Sequence, residues 1–342
     1  MTDIIGWDIG GAHLKAAHLN AQGQLLKIYQ QPCPLWKGLN QLENAARLIL
    51  KELPSARHVI TMTGELVDFF DYRNQGVAAI IATMQDLLTA ELSVFAGSKG
   101  ILAIEQVSTD DYEAIASANW LASASFAAQK IENALFVDIG STTTDILLLQ
   151  HGNVCIEGYS DYQRLKSQEL VYTGIVRTPV MAVAQTAFDN GEPIGLMAEY
   201  FATMADVYRL TGELNENHDQ TESADGQAKT IHASARRLAR MIGCDFYEHE
   251  FARWQAFAKQ LRQQQLEKIV SACQQRLNVA KNPPVAVIGA GVGQFLARDV
   301  AKLLDCDYLD FAALCPELIG QSELSPADCA PAVALACLFK MM

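Results

Sequence analysis

The sequence predicts an α/β protein of two lobes, with duplicated mixed β-sheets flanked by helices. Three observations carry that expectation. The chain has 342 residues, 50% of them hydrophobic and 19% charged, ample material for packed cores and more than the roughly 250 to 300 residues at which one core stops growing. Short apolar runs of strand length alternate with longer segments of helical period. One strand–turn–strand pattern occurs twice, because Asp8-Ile9-Gly10 lies over Asp138-Ile139-Gly140 at a spacing of 130 residues.

The first copy runs from Asp3 to Leu19 as two strands around the turn Gly10-Gly11. Asn20–Gly23 is a second turn signal, and Gln24–Gln31 completes a meander. A helix is expected over Leu39–Leu53, apolar at Leu42, Ala45, Ala46, Ile49 and Leu50, with Pro54 as its stop. His58–Met62 reads as a strand ending in Thr63-Gly64-Glu65, and alanine-rich Asp110–Lys130 reads as one connecting helix. The second copy occupies Ala134–Leu149, and His151-Gly152-Asn153 turns into a strand at Val154–Glu157. The polar run Glu213–Gly226 has no apolar period and reads as a mobile loop.

Helical patterns follow over Ala228–Met241 and Phe251–Leu277. Pro283-Pro284 then opens a strand over Val285–Ile288, followed by the turn Gly289-Ala-Gly-Val-Gly293, a helix over Gln294–Leu304 and a strand near Asp307–Leu309. Pro326–Phe339, rich in small residues, reads as a tightly packed terminal helix. The expected domains are a first lobe over 1–118, joined by the C-terminal helix 326–342, and a second lobe over 119–325 with a mobile insertion near 211–228.

The balance of 26 Lys+Arg against 39 Asp+Glu gives a net charge of −13. That disfavours nucleic-acid and anionic membrane surfaces, where phosphates need clustered cations. No apolar run reaches the ~18 residues of a membrane span. The expected partners are small-molecule substrates, with no nucleic acid and no membrane; a homo-oligomer is left open. The eight cysteines have no CxxC spacing and no signal-peptide pattern precedes Asp3, so reduced thiols and a cytoplasmic location are expected. Cys244 and His249 could share a metal, although scattered cysteines are more often buried as small hydrophobes.

Three glycine-bearing turns carry the candidate chemistry, because each follows an apolar strand and exposes backbone N–H groups to phosphate oxygens. In the first two, Asp8 and Asp138 stand just ahead of the turn, where a carboxylate can hold hydrated Mg²⁺ while the turn holds the anion. Gly10 and Gly11 form the first turn. Gly140, Ser141, Thr142 and Thr143 form the second, with hydroxyl donors added. The third, with Gly289, Gly291 and Gly293, enters a helix whose N-terminus favours an anion. As a dinucleotide-binding start it comes too late, with only 49 residues after Gly293.

That order of turns resembles the actin-like ATPase superfamily of sugar kinases, acetate kinase, actin and chaperone ATPases. The resemblance implies a ribonuclease H-like fold with a central cleft, two phosphate-binding hairpins and an adenosine-binding glycine turn. More specific strings are Gly6-Trp-Asp-Ile-Gly-Gly-Ala-His13, Thr61-Met-Thr-Gly-Glu-Leu66, Asn119-Trp120, Asp138-Ile-Gly-Ser-Thr-Thr-Thr-Asp145, Tyr172-Thr-Gly-Ile-Val-Arg-Thr-Pro179, and Ala224-Asp-Gly226 followed by Arg237-Leu-Ala-Arg240. Together they resemble the hydantoinase/oxoprolinase-related branch associated with tetrahydromethanopterin-linked one-carbon metabolism and methanofuran or methylofuran biosynthesis. The activity implied is a transferase that couples an aminomethylfuran diphosphate to the phenol of γ-glutamyltyramine and releases diphosphate.

On that resemblance, Asp8 and Asp138 are the metal-side residues for Mg²⁺, Arg177 is a charge clamp, and Glu65, His13 or Asp145 is the base for the phenol. Whether ATP is bound or used is left open. The alternatives are an ATP-dependent small-molecule kinase or a hydantoinase/oxoprolinase-type hydrolase, and an ATP-switch protein, which fits least because no polymerisation insert is evident. Structural readings stand beside these. His13 is equally a core histidine, Lys15 an exposed strand residue, and Arg236, Arg237 and Arg240 a solvated or salt-bridged stripe rather than a diphosphate site. Trp7 and Trp120 read as core or cleft walls.

Overall fold

The computed structural model describes residues 2–53, 56–88, 90–281, 284, 286–320 and 322–342. Pro54, expected as a helix stop, and Pro283 and Val285, expected to open a strand, lie outside the described residues. The chain divides into two compact units, one of Met1–Asn133, Leu149–Cys155 and Asp310–Met342, the other of Ala134–Leu148 and Ile156–Leu309.

In the first unit β1 (Asp3–Ile9), β2 (His13–Leu19) and β3 (Leu25–Pro32) form the expected antiparallel meander. Helix α1 (Asn40–Leu50) leads to β4 (Ala56–Met62), and α2 (Arg73–Leu87) to β5 (Leu92–Phe95) and β6 (Ile101–Ala103). The sheet order is β3-β2-β1-β4-β5-β6, with β1, β4 and β5 parallel. Helix α1 buries the stripe Leu42, Ala45, Ala46 and Ile49, as its 3.6-residue period requires. It stops at Leu50, short of the expected Leu53.

The alanine-rich segment is not one helix. A 3-10 turn at Thr109–Asp111 and a short α3 (Tyr112–Ile115) are separated from α4 (Asn119–Ala128) by a break at which Ser117 has φ 51°. A left-handed residue without the freedom of glycine is held there by tertiary contacts.

The second unit opens with β7 (Ala134–Ile139) and β8 (Thr144–Gln150); β9 (Asn153–Cys155), assigned to the first unit, is shorter than the expected 154–157 strand. Then come α5 (Asp161–Ser167), β10 (Leu170–Val171), α6 (Val180–Val183), the hairpin β11 (Thr186–Asp189) and β12 (Glu192–Gly195), α7 (Met204–Thr211), α8 (Ile231–Arg240) and α9 (Phe251–Asn278). Strand β13 (Ala286–Ala290), α10 (Gln294–Leu303) and β14 (Asp307–Asp310) complete it, in the sheet order β10-β8-β7-β13-β14. The final helix α11 (Ala330–Lys340) returns to the first unit, on the face of β1, β2 and β4. It approaches closely because Gly6 has no side chain; a Cβ there would strike Ala332 O and lie 2.8 Å from Ala336 N.

Two expectations are corrected. Residues 119–133 and 310–325 belong with the first unit, since α4 packs against α11 and Leu25 bridges Leu318. The segment 213–226 is tied down by charge rather than loose. Arg209 holds Glu216 at 2.8 Å and Asp219 at 2.7 Å, Lys229 holds Asp219 at 3.0 Å, and Asp225 pairs with Arg237 and Arg240.

The repeat is visible in hydrogen bonds. Gly10 N donates to His13 O at 3.0 Å, and Gly140 N to Thr143 O at 2.8 Å, at the same 130-residue spacing. Each copy's first strand also has a parallel neighbour, β4 for β1 and β13 for β7.

Candidate functional site

Parallel pairing of β1 with β4 sets Asp8 beside Thr61 and Ile9 beside Met62, so the segments after both strands meet. Thr63 N donates to Ile9 O at 3.0 Å, and Gly64 leaves room that a Cβ would lose, 2.7 Å from Leu35 Cδ2 and 3.1 Å from Ile9 O. The Gly10-Gly11 turn is thus backed by the turn that carries Glu65. Asp8 and Glu65 are both buried. Asp8 Oδ1 accepts from Asn119 Nδ2 at 3.2 Å, and Glu65 Oε1 accepts from Ser117 Oγ at 2.7 Å.

The break between α3 and α4 and the first residue of α4 therefore supply a side chain to each of the two carboxylates. Ser117 went unnoticed in the sequence because an alanine-rich run carries no helix-breaking signal. His13 is buried at the start of β2, and its carbonyl closes the first turn. Lys15 is not simply exposed, since its Nζ donates to Asp328 O at 2.6 Å.

In the second unit Asp138 stands half-buried near the end of β7, ahead of the turn Gly140–Thr143. The segment Thr173–Thr178 wraps that turn. Ile175 N donates to Gly140 O at 3.1 Å, and Val176 N and Arg177 N donate to Ser141 O at 3.1 and 2.8 Å. With those carbonyls tied back, a small cluster of donors stands together. Arg177 Nη1 lies 3.4 Å from Thr142 Oγ1, and Ser141 Oγ lies 3.4 Å from the same hydroxyl. Two hydroxyls and a guanidinium at a strand end form a donor set suited to an anion. The field of Arg177 also reaches Tyr200, whose phenol is nevertheless pushed up by burial.

The third glycine turn converges on the same carboxylate. Ala290 pairs with Asp138 across the β13–β7 ladder, and Gly293 N donates to Ile139 O at 2.8 Å. Gly291 has φ 79°, and a Cβ there would strike Asp138 Oδ1 and Ile139 O. A Cβ on Gly289 would fall 2.6 Å from the Tyr308 ring, and one on Gly293 2.6 Å from Ile139 Cγ2. All three glycines are thus required by close packing within the unit. Asp138, Gly140–Thr143, Arg177 and Gly289–Gly293 are gathered in the second unit, whereas Asp8, Gly10, Gly11, His13 and Glu65 are gathered in the first.

Asp145 lies on β8, opposite Leu170 of β10, and its carboxylate takes the buried Arg164 guanidinium at 2.6 Å. Burial raises its pKa while Arg164 opposes that shift. Arg237 is fully buried between Asp206 at 3.0 Å and Asp225 at 3.1 Å, and Arg240 holds Asp225 at 3.0 Å, so the basic stripe is salt-bridged at these two positions. Trp7 and Trp120 are buried, and Trp7 Nε1 donates to His58 Nδ1 at 3.1 Å.

Cys244 Sγ sits 3.6 Å from Arg253 Nη2. Among the described residues no group of three or more His, Cys, Asp or Glu could hold a metal ion. Asp8, hydrogen-bonded to Asn119, and Asp138, half-buried at its strand end, each offer a single carboxylate, the kind of ligand through which proteins hold Mg²⁺. No helix among the described residues is long and apolar enough to cross a membrane.

The chain is 32% identical over 244 residues to the (4-{4-[2-(γ-L-glutamylamino)ethyl]phenoxymethyl}furan-2-yl)methanamine synthase of Methanocaldococcus jannaschii, covering 71% of this chain and 72% of that one. It is 29% identical over 123 residues to the synthase of the same name from Methanococcus vannielii, covering 36% of this chain and 55% of that relative's length. Among solved structures, a nucleotide-free acetone carboxylase, an enzyme of ATP-dependent acetone carboxylation, superposes with a TM-score of 0.57 at 10% identity, over 98% of this chain and 70% of that one. The fold is the α/β fold of the actin-like ATPases, as its duplicated hairpins implied. The hydantoinase/oxoprolinase family matches residues 57–315, from β4 to just past β14, and the chain belongs to that family.

Proposed function

We propose that the protein is an ether-forming transferase of methanofuran or methylofuran biosynthesis, acting in the cytoplasm. It would join an aminomethylfuran diphosphate to the phenol of γ-glutamyltyramine and release diphosphate, in support of tetrahydromethanopterin-linked one-carbon metabolism. The observation that carries this reading is the 32% identity to the Methanocaldococcus jannaschii synthase, whose named product contains a phenoxymethyl group on a furan. Such a product requires a bond between a phenol oxygen and a furfuryl carbon.

In the reaction the bond from the furfuryl CH₂ to diphosphate breaks, and its electron pair leaves with diphosphate. The phenol oxygen bonds to that carbon and gives its proton to a base. Positive charge developing on the carbon is shared by the furan oxygen, so the protein chiefly holds the leaving group and positions the phenol. We assign the Ser141 and Thr142 hydroxyls and Arg177 of the second unit to diphosphate. Mg²⁺ held by Asp8 or Asp138 would supply charge neutralisation to the diphosphate.

Glu65 is our choice of base, because its turn lies against the first glycine hairpin and Ser117 fixes its carboxylate. His13 is the second candidate, and Asp145 is assigned to its ion pair with Arg164. ATP is not consumed on this reading, and the glycine turn at 289–293 serves as a buttress for Asp138.

A second reading, an ATP-dependent kinase or a hydantoinase/oxoprolinase-type hydrolase, is favoured by the family match over residues 57–315. Mass spectrometry of the products separates the two. The purified protein is incubated with Mg²⁺, the aminomethylfuran diphosphate and γ-glutamyltyramine, with and without ATP. Ether and diphosphate in both tubes are expected; no ether in either, alongside ATP turnover, would replace the transferase with the second reading.

A further inference from the structure

Behind the turn Gly140–Thr143 runs a chain of buried hydrogen bonds that starts in the helices. Gln265 on α9 is fully buried, and its Oε1 accepts the Tyr208 hydroxyl of α7 at 2.5 Å. Its Nε2 donates to Thr173 Oγ1 at 2.7 Å and to Gly174 O at 2.9 Å. Gly174 N donates to Thr178 Oγ1 at 2.7 Å, and that hydroxyl lies 3.4 Å from Thr142 O. Thr144 Oγ1 closes the network by donating to Thr173 O at 2.7 Å. Each step matches a donor to an acceptor.

Gln265 stands among the buried apolar residues Leu261, Leu266 and Ile269 of α9, where a polar side chain is costly unless satisfied. A primary amide suits the position because it offers two N–H donors and an acceptor from one planar group. Gly174 has no space for a Cβ against Ser141 and Thr142 of the turn. A displacement of Thr173-Gly174 therefore passes directly to the hydroxyls that flank Arg177.

We infer that Gln265 is a positioning residue for the anion-binding turn: it touches no substrate, and it sets the placement of Thr142 and Arg177 through the Thr173–Thr178 loop. The inference rests on reading that turn as the diphosphate site. A leucine at position 265 would leave the Tyr208 hydroxyl, the Thr173 hydroxyl and the Gly174 carbonyl without this partner, and the loop would drift from the turn.

The test is calorimetric titration of the full chain with Mg²⁺–pyrophosphate, together with steady-state kinetics, in wild type, Gln265→Leu, Thr173→Val and the double variant. Affinity about tenfold weaker is expected in Gln265→Leu, the scale on which outer-shell partners act. KM for the diphosphate donor should rise while KM for the phenol acceptor stays constant, a split that general destabilisation would not produce. The double variant should lose little more than Gln265→Leu, because both residues act in one chain.

Unchanged affinity in Gln265→Leu, or losses that add in the double variant, would overturn the inference. If Gln265→Leu fails to fold, Tyr208→Phe, which removes one hydroxyl at the far end of the chain, carries the test: weaker pyrophosphate binding supports the inference and unchanged binding overturns it. A wild type that does not bind pyrophosphate would instead remove the diphosphate reading of the turn, and the inference with it.

Discussion

Ser117 donates its hydroxyl to Glu65 Oε1 at 2.7 Å across 52 residues of chain, and both side chains are buried. Two residues on, Asn119 donates to Asp8. The break between α3 and α4 and the first residue of α4 thus engage Glu65 and Asp8. Ser117→Ala removes a donor from a buried carboxylate and is expected to cost about 1–3 kcal/mol. Urea unfolding measures this, and turnover should fall with it if Glu65 takes the phenol proton. Stability and turnover equal to wild type would leave the bond without consequence.

Asp8→Asn and Asp138→Asn keep the volume and remove the charge. Each is expected to lower Mg²⁺-dependent turnover at least about 100-fold while the circular dichroism spectrum is retained, since the leaving diphosphate loses its charge partner. Full turnover in both variants would dissociate these residues from the metal.

Gly291 and Gly195 make a controlled pair. At Gly291 the φ of 79° and the contact of any Cβ with Asp138 Oδ1 and Ile139 O both oppose a side chain, whereas Gly195 has open space around its Cβ position. Gly291→Ala is expected to destabilise by more than about 2 kcal/mol and to reduce turnover by moving Asp138, while Gly195→Ala stays within about 0.5 kcal/mol of wild type. Thermal unfolding of the two variants compares them directly, and equal behaviour would contradict the packing role of Gly291.

His58 gives stability a pH dependence. Its Nδ1 accepts from Trp7 Nε1, and burial lowers its pKa from 6.5 to about 4. Below pH 6.5 the unfolded chain binds a proton that the native chain refuses until about pH 4. The contribution is therefore complete above pH 6.5 and is lost as pH falls through that window, by up to about 3 kcal/mol. His58→Asn, which offers Trp7 an acceptor that does not titrate, should flatten the slope between pH 6.5 and 4 in chemical denaturation. Parallel slopes in the two proteins would count against this origin.

Much of the fold was legible from short-range signals. The meander ends at its expected turns, and the duplicated hairpins close with the same hydrogen bond 130 residues apart. The terminal helix packs closely, as its small residues imply, because Gly6 clears the space beneath it. The errors share a cause. Asp110–Lys130 read as one helix because nothing local breaks it, yet Ser117 is held at φ 51° where it serves Glu65. Residues 213–226 read as loose because they lack apolar period, yet Arg209, Lys229, Arg237 and Arg240 hold them by charge.

By itself the sequence determined the opening meander, the strands β4, β7, β8 and β13, the glycine turns, their order and the position of an aspartate before each hairpin, but not β5, β6 or β10–β12. Those features depend on side-chain period and turn chemistry within a few residues. The tertiary structure alone decided that the third glycine turn presses on Asp138, that Gln265 braces the loop over Thr142, and that Ser117 and Asn119 serve Glu65 and Asp8. These depend on pairs 52 to 153 residues apart along the chain. Such pairs meet only when parallel strand pairing and helix packing close the long connections between them, and no local pattern encodes which donor will face which carboxylate.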